Sequence, residues 1–165
     1  TAGLEARVAR KGWKATKWSR RSTRRERAMT SAAELKGLDA ARALAALSPE
    51  TKAALERSVA MESSQRLRVS AAFHAIGAAI GSKRSPVADS DKKKLFAFAE
   101  ELLTKGTPEV SNAIATCLLE QVWTAARESG FDFATVDPYL GRESRNYLIA
   151  WDDFQKTKTK GLTRN

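Results

Sequence analysis

The chain has 165 residues, of which 42% are hydrophobic and 29% charged, and its formal net charge is +10. This length suits one domain with tails, and the composition is that of a folded protein rather than a disordered one. A single cysteine, Cys117, excludes an intramolecular disulfide framework and predicts a reducing, cytoplasmic location. No apolar run approaches the roughly 18 residues that a membrane-spanning helix needs, so we expect no membrane span.

The positive charge is unevenly distributed along the chain. Residues 1–30 carry ten Lys and Arg against two acidic residues, residues 31–155 carry fifteen against seventeen, and residues 156–165 carry four against none. The sequence therefore predicts a slightly acidic domain at 31–155 with a basic N-terminal arm and a short basic C-terminal tail.

The N-terminal arm interleaves cations with two tryptophans and has poor apolar periodicity. Cations with aromatic rings suit phosphate neutralisation and base stacking, an anionic membrane surface, or an acidic protein groove. Two other interpretations stay open: an arm without a specific ligand, or a dispensable leader, because Met29 resembles a natural start. The candidate contacts with an anionic partner in this arm are Arg7, Arg10, Lys11, Trp13, Lys14, Lys17, Trp18, Arg20, Arg21, Arg24, Arg25 and Arg27.

The domain begins with an alanine- and leucine-rich segment whose apolar spacing predicts a first helix over 32–47, with Ser31 as N-cap. Ser48 and Pro49 have the chemistry of a second N-cap and first helical position. Apolar residues at helical spacing then extend the second predicted helix over 49–80.

Two features stand out within this second helix. Ser63-Ser64 is a candidate break or kink. Gly77 and Gly81 lie among alanines and give its end a small-residue surface, which predicts close packing against another helix rather than a ligand groove.

The clearest loop covers 81–90, and the third predicted helix follows it with Asp89 or Ser90 as cap, ending at Gly106. Three lysines lie in the first turn of this helix, where cations oppose the helix dipole. Two interpretations of these lysines stay open: they contact an acidic partner, or they form a solvated helix face. The candidate anionic-partner contacts here and in the tail are Lys83, Arg84, Lys92, Lys93, Lys94, Lys156, Lys158 and Lys160.

The central predicted helix starts at Thr107-Pro108 and ends at Gly130. A short turn over 137–141 and a last helix over 144–156 follow. The predicted apolar positions are Val110, Ala113, Ile114, Cys117, Leu118, Gln121 and Ala125 in the central helix, and Tyr147, Leu148, Trp151 and Phe154 in the last one.

No segment alternates with period two between hairpin turns, so no sheet is expected. We predict an all-α fold, an antiparallel array of about five to six helices that forms a bundle or a short HEAT-like stack.

Few residues suggest catalysis. One histidine and one cysteine cannot form a structural zinc site, and the phosphate-loop, dinucleotide and calcium-loop patterns are absent. A Cys117–His74 dyad is weakened by the apolar face expected around the thiol. Asp152 and Asp153 are adjacent on a helix and therefore diverge by about 100°. We predict no enzyme activity, no metal and no cofactor, and a structural role for Glu120 paired with one of Arg127, Arg142 and Arg145.

The stretch from Leu95 to Phe154 resembles a family of small, uncharacterised bacterial helical domains. The resemblance is carried by Asn112-Ala113-Ile114, Leu118-Leu119-Glu120 and Tyr139-Leu140-Gly141. Gly141 also fits a left-handed residue that ends a short helix. Domains of this kind are immunity-like proteins that accompany secreted toxins, so the resemblance implies a non-catalytic protein binder without a defined set of contact residues.

Two functional hypotheses follow. The first is a non-catalytic protein-binding domain, toxin-neutralising in its specific form, which uses the 81–94 region. The second is a nucleic-acid- or ribonucleoprotein-associated protein that binds through its basic arms, with lysines and arginines on phosphate and tryptophans stacking on bases.

Overall fold

The computed structural model describes residues 31–62 and 64–164, with the backbone alone for 65–67. This part of the chain contains seven α-helices and no strand, which confirms the predicted all-α class with a slightly higher helix count. The helices are α1 Gly37–Ala45, α2 Pro49–Met61, α3 Gln65–Ile80, α4 Asp89–Lys105, α5 Pro108–Ala113, α6 Glu120–Glu128 and α7 Arg142–Phe154. A π-helical turn, Ile114–Leu119, joins α5 to α6, and 3₁₀ turns lie at Phe133–Thr135 and Asp137–Tyr139.

The candidate break at 63–64 is confirmed, whereas the start of the first predicted helix was wrong. The second predicted helix divides there into α2 and α3, because Glu62 adopts an extended conformation after Met61. The two helices then fold against each other as a hairpin. The first helix begins at Gly37 rather than Ala32, since Gly37 has φ +49 and the preceding residues form a turn.

The predicted N-caps are confirmed at two helix starts. The Ser48 hydroxyl accepts a hydrogen bond from the Glu50 backbone N–H at 3.3 Å, and Thr107 does the same for Val110 at 3.4 Å. Helix α4 differs, because Ala88 occupies its N-cap position without a side-chain bond. There the acidic side chains of the first turn, Asp89 and Asp91, interact favourably with the positive end of the helix dipole instead.

The small-residue end of α3 packs against the central helix, as predicted. A Cβ atom at Gly77 would lie 2.7 Å from the Leu118 carbonyl oxygen, and one at Gly81 would lie 2.7 Å from the Ala125 Cβ. The two helices therefore approach each other more closely than larger residues would permit. Around this contact lies one core in which Phe73, Ile76 and Leu118 are almost fully buried, in a compact unit that extends from Ala32 to the C-terminus.

Glu100 on α4 holds the start of α7. Its carboxylate accepts hydrogen bonds from the backbone N–H groups of Glu143 and Ser144 and from the Ser144 hydroxyl, at 2.6–3.0 Å. Gly141 is not left-handed as predicted, since its φ is −71. A Cβ at this position would overlap the Glu100 carboxyl group, so a larger residue would displace that side chain from its contacts with α7.

Residues 156–164, expected to be a basic tail outside the domain, instead pack on the domain. Asp152 is buried and accepts hydrogen bonds from the Trp123 indole, from both the backbone and the hydroxyl of Thr159, and from Arg164, at 2.7–2.9 Å. The buried Leu162 side chain lies in the same segment. Two buried anchors, Thr159 and Leu162, therefore tie the segment to the core.

A second aspartate, Asp137, fixes the end of the segment. Its carboxylate accepts from the backbone and hydroxyl of Thr163 and from Arg145, whose guanidinium also donates to the Thr163 carbonyl. Burial raises the pKa of Asp137 and of Asp152, but these hydrogen bonds outweigh it and hold both pKa values below the ordinary range.

We expect Gly141→Ala to destabilise the protein by about 2 kcal/mol, because the new Cβ displaces Glu100 and breaks the α7 cap. In a Glu100→Ala background the same change should cost far less, so that the two substitutions show a coupling of at least about 1 kcal/mol. Urea denaturation followed by circular dichroism measures the four free energies of unfolding. Strictly additive effects would show that Gly141 is not constrained by Glu100.

The two aspartates predict an acid-sensitive fold. A carboxyl group whose folded pKa is lowered adds stability that is fully present above its unfolded pKa, about 3.9, and is lost as the pH falls through the folded pKa. We therefore expect the free energy of unfolding to fall steeply below about pH 4. Asp152→Asn with Asp137→Asn should flatten this dependence and lower stability at pH 7.

Urea titrations from pH 7 to pH 2.5 measure the effect. Asp39→Asn is the matched control, because Asp39 is exposed and, among the described residues, pairs only with Arg42 on its own helix. The control should keep the wild-type pH dependence. An acid slope unchanged in the double variant would contradict the assignment of the transition to Asp137 and Asp152.

Candidate binding surfaces

An apolar groove lies between α2 and α3. Its volume is about 740 Å³. Met61, at the end of α2, is 86% exposed and lines it; it is one of two large apolar side chains exposed in the described part of the chain. The alanines of the groove are Ala53 and Ala54 from α2 and Ala75, Ala78 and Ala79 from α3.

A second cavity of about 380 Å³ continues the groove toward the central helix, since the two share Ser58 and Ala75 as lining residues. His74 and Cys117 both line this cavity. The structure thus brings the two members of the unfavoured dyad to one cavity. Cys117 packs against the core, as predicted for the apolar face, but its side chain is partly exposed and lies 3.6 Å from the Thr116 hydroxyl.

Three cations and one carboxylate lie at or near the groove. Arg57 lines it directly, and Lys83 and Arg84 lie in the loop between the lining residues Ser82 and Pro86. All three are exposed, and none forms an ion pair within residues 31–62 and 64–164. Glu50 also lines the groove, so the charged residues of its rim are Glu50 and Arg57, and the two further cations lie in the adjacent loop.

The lysines at the start of α4 differ in accessibility. Lys92 was expected to be an exposed contact, but its side chain is only 7% exposed and pairs with Asp89 at 3.0 Å. Lys94 pairs with Asp91 at 2.9 Å, and Lys93 is exposed. The i,i+3 spacing explains both pairs, because it places each lysine beside an aspartate of the first helical turn.

A stacked aromatic column runs along α7. The rings of Tyr147 and Trp151 are nearly parallel at 6.4 Å, and Phe154 stacks on Trp151 at 5.4 Å with an interplanar angle of 27°. Phe154 was expected on the apolar side of the helix, but it is 73% exposed. The Trp123 ring meets Trp151 edge-on and carries the Arg127 guanidinium over its face.

Within the part of the chain that the structure describes, Glu120 does not pair with an arginine as predicted. It accepts a hydrogen bond from the Tyr147 hydroxyl at 2.5 Å, at the inner end of the aromatic column. Burial, together with this bond, raises the pKa of Tyr147 well above its ordinary value. The predicted arginines have other contacts, since Arg142 pairs with Glu143 and Arg145 with Asp137.

Residues 41–156 match a protein family described as Domain of unknown function (DUF7674). The chain belongs to this family. The match includes the whole stretch from Leu95 to Phe154, and it confirms the expected relation to an uncharacterised domain family. Searches of curated proteins and of solved structures found no match.

The family region contains the groove, the cationic loop and the aromatic column, whereas the C-terminal lysines Lys158 and Lys160 follow it. The cations and tryptophans predicted as contacts in the N-terminal arm lie outside the described residues. In the described ranges, no helix is long and apolar enough to cross a bilayer, and no group of three or more His, Cys, Asp or Glu side chains is arranged to hold a metal ion.

The groove was missed in the sequence because alanine is ambiguous. The small residues of α3 were expected to pack on another helix, and Gly77 and Gly81 do so. Ala75, Ala78 and Ala79 belong to the same run but line the groove. The available signal was their partner α2, which carries Ala53-Ala54 and ends in an exposed methionine.

Proposed function

We propose that this domain is a non-catalytic protein-binding module that holds a short apolar helical segment of an acidic partner protein in the groove between α2 and α3. The observation that carries the proposal is the alanine-lined groove with the exposed Met61 beside it. An apolar helix face is commonly bound in a hydrophobic groove of this kind.

The floor of the groove suits such a segment. Alanines on both walls leave space for the larger side chains of an incoming helix, whose burial would remove apolar surface from water. Met61 is unbranched and flexible, so it can adapt to the shape of the bound segment. An exposed apolar surface with polar surroundings is a frequent mark of a protein interaction site.

The rim defines the charge of the partner. Arg57 lines the groove, Lys83 and Arg84 lie in the adjacent loop, and none of the three forms an ion pair within the described residues. These cations favour a segment that carries acidic residues beside its apolar face. Complementary charges of this kind raise the association rate and exclude partners of the wrong sign. The 81–94 region proposed from the sequence thus contributes its loop cations rather than Lys92.

Toxin neutralisation is the specific form of this function that the immunity-like resemblance implies. A neighbouring toxin gene, and co-purification of its product with this chain, would support it. Absence of such a neighbour would remove the toxin as partner and leave the groove proposal to be tested by itself.

We expect the full chain to bind an amphipathic helical peptide of about 14 residues, long enough to form a helix, when its apolar stripe is flanked by glutamates. A peptide with the same stripe flanked by lysines should bind at least about tenfold more weakly, because of repulsion from the rim. Ala78→Trp should abolish binding by filling the groove, and Arg57→Glu with Lys83→Glu should reverse the charge preference. Fluorescence anisotropy of labelled peptides measures each affinity.

Ala97→Trp is the matched control, because Ala97 is exposed on α4 and does not line the groove. It should bind like the wild type. Attraction to cations elsewhere on the chain would leave binding intact in Ala78→Trp, and that result would overturn the proposal. Failure of both peptides to bind the wild type would overturn it as well.

A further inference from the structure

A second surface lies at the end of α7, on elements that do not form the groove. We propose that Phe154 and the lysines Lys156, Lys158 and Lys160 form a binding surface for single-stranded nucleic acid, in which Phe154 stacks on a base and the lysines contact phosphates. We call these four residues the C-terminal surface.

The lysines of this surface are held in place by the core. Between them, Thr159 is buried and donates two hydrogen bonds to Asp152, while Thr157 donates its backbone N–H to the Asp152 carbonyl at 2.9 Å. Lys156, Lys158 and Lys160 are all exposed. Because Thr157 and Thr159 are bound to Asp152, the lysines between and beside them are exposed on a fixed backbone. A fixed backbone lowers the conformational entropy that the segment loses when it binds a ligand.

The positive charge of the surface is not neutralised locally. The two neighbouring carboxylates, Asp152 and Asp153, both pair with Arg164 at 2.8–2.9 Å. The three lysines form no ion pair within the described part of the chain. The surface therefore attracts an anion with several charges.

The backbone at Lys156 supports a role for its side chain. Lys156 has φ +52, the left-handed conformation that glycine or asparagine adopts more easily at the end of a helix. It is the one residue other than glycine with positive φ in the described ranges. Such an unfavourable conformation is a reason to seek a function for the residue that adopts it.

The aromatic column favours nucleic acid over other anions. Phe154 is the outermost ring, stacked on Trp151, and the residue is 73% exposed. A base can extend this column, since base–aromatic stacking is the usual means by which proteins bind single strands without sequence preference. The acidic residues of a peptide, aspartate and glutamate, have no flat ring, and one exposed phenylalanine provides little apolar surface for insertion into a membrane.

The test compares full-length variants in binding to a labelled thymidine oligonucleotide over a range of salt concentrations. Because each phosphate neutralised on a single strand contributes about 0.7 to the slope of log K against log salt, replacing all three lysines by glutamine should lower the slope by about 2. At 0.1 M salt, this corresponds to binding about 100-fold weaker. Replacing Lys52, Lys93 and Lys105 by glutamine is the control, with the same change of charge at exposed positions elsewhere.

Two further variants separate stacking and stability from charge. Phe154→Ala should weaken binding about tenfold without changing the salt slope, and should remove the preference for the oligonucleotide over an abasic strand of equal length. Lys156→Gly should also weaken binding, although its Tm should equal or exceed that of the wild type because glycine relaxes the left-handed backbone. If Lys156→Gly binds more weakly while its Tm is equal to or higher than that of the wild type, unfolding is not the cause of the weaker binding.

Three outcomes would overturn the proposal. One is equal salt slopes for the tail and control triple variants, which would place the binding cations elsewhere on the chain. Another is a Phe154→Ala variant that binds the oligonucleotide as tightly as the wild type and keeps its preference over the abasic strand, which would show that the ring does not contact a base. The third is that the tail variants bind the oligonucleotide normally but bind vesicles of phosphatidylserine and phosphatidylcholine more weakly, which would assign the surface to membranes.

Discussion

The π-helical turn Ile114–Leu119 is the constraint on which the packing of this domain depends. A π turn contains one residue more than an α-helical turn, so it shifts the face that all later residues of the helix present. Before it, α5 packs against its neighbours, and within it the Leu118 carbonyl meets α3 at Gly77. After it, Val122 and Trp123 face the core, and Trp123 can donate its indole N–H to Asp152.

The same turn explains which parts of the fold could be predicted from sequence. The caps at Ser48 and Thr107 depend on residues within a few positions, so local chemistry identified them. A regular 3.6-residue period placed Cys117 and Gln121 on the buried face, whereas the inserted residue leaves both partly exposed. No residue type in this segment predicts the π turn or the shift of the buried face that it causes.

The polar contacts that close the C-terminal part are predictable neither from period nor from composition. Glu100 binds the start of α7 from 43–44 positions away, and Asp137 binds Thr163 from 26 positions away. A carboxylate has the same sequence signature whether it is solvated or buried against backbone N–H groups. The cations posed the same difficulty, because Lys92 and Lys93 are adjacent but only the first is buried.

The buried aspartates matter more for position than for stability. Burying a carboxylate has a desolvation penalty that hydrogen bonds and an ion pair must offset, so such a group is weak support for a more stable fold. Asp152 instead fixes the position of the C-terminal segment. Its carboxylate oxygens bind Thr159 and Arg164, and its backbone carbonyl binds Thr157. An apolar residue in its place could fill the same volume, but it would not accept the hydrogen bonds that hold the C-terminal segment on the domain. The arrangement of the exposed surface is therefore determined from inside the domain.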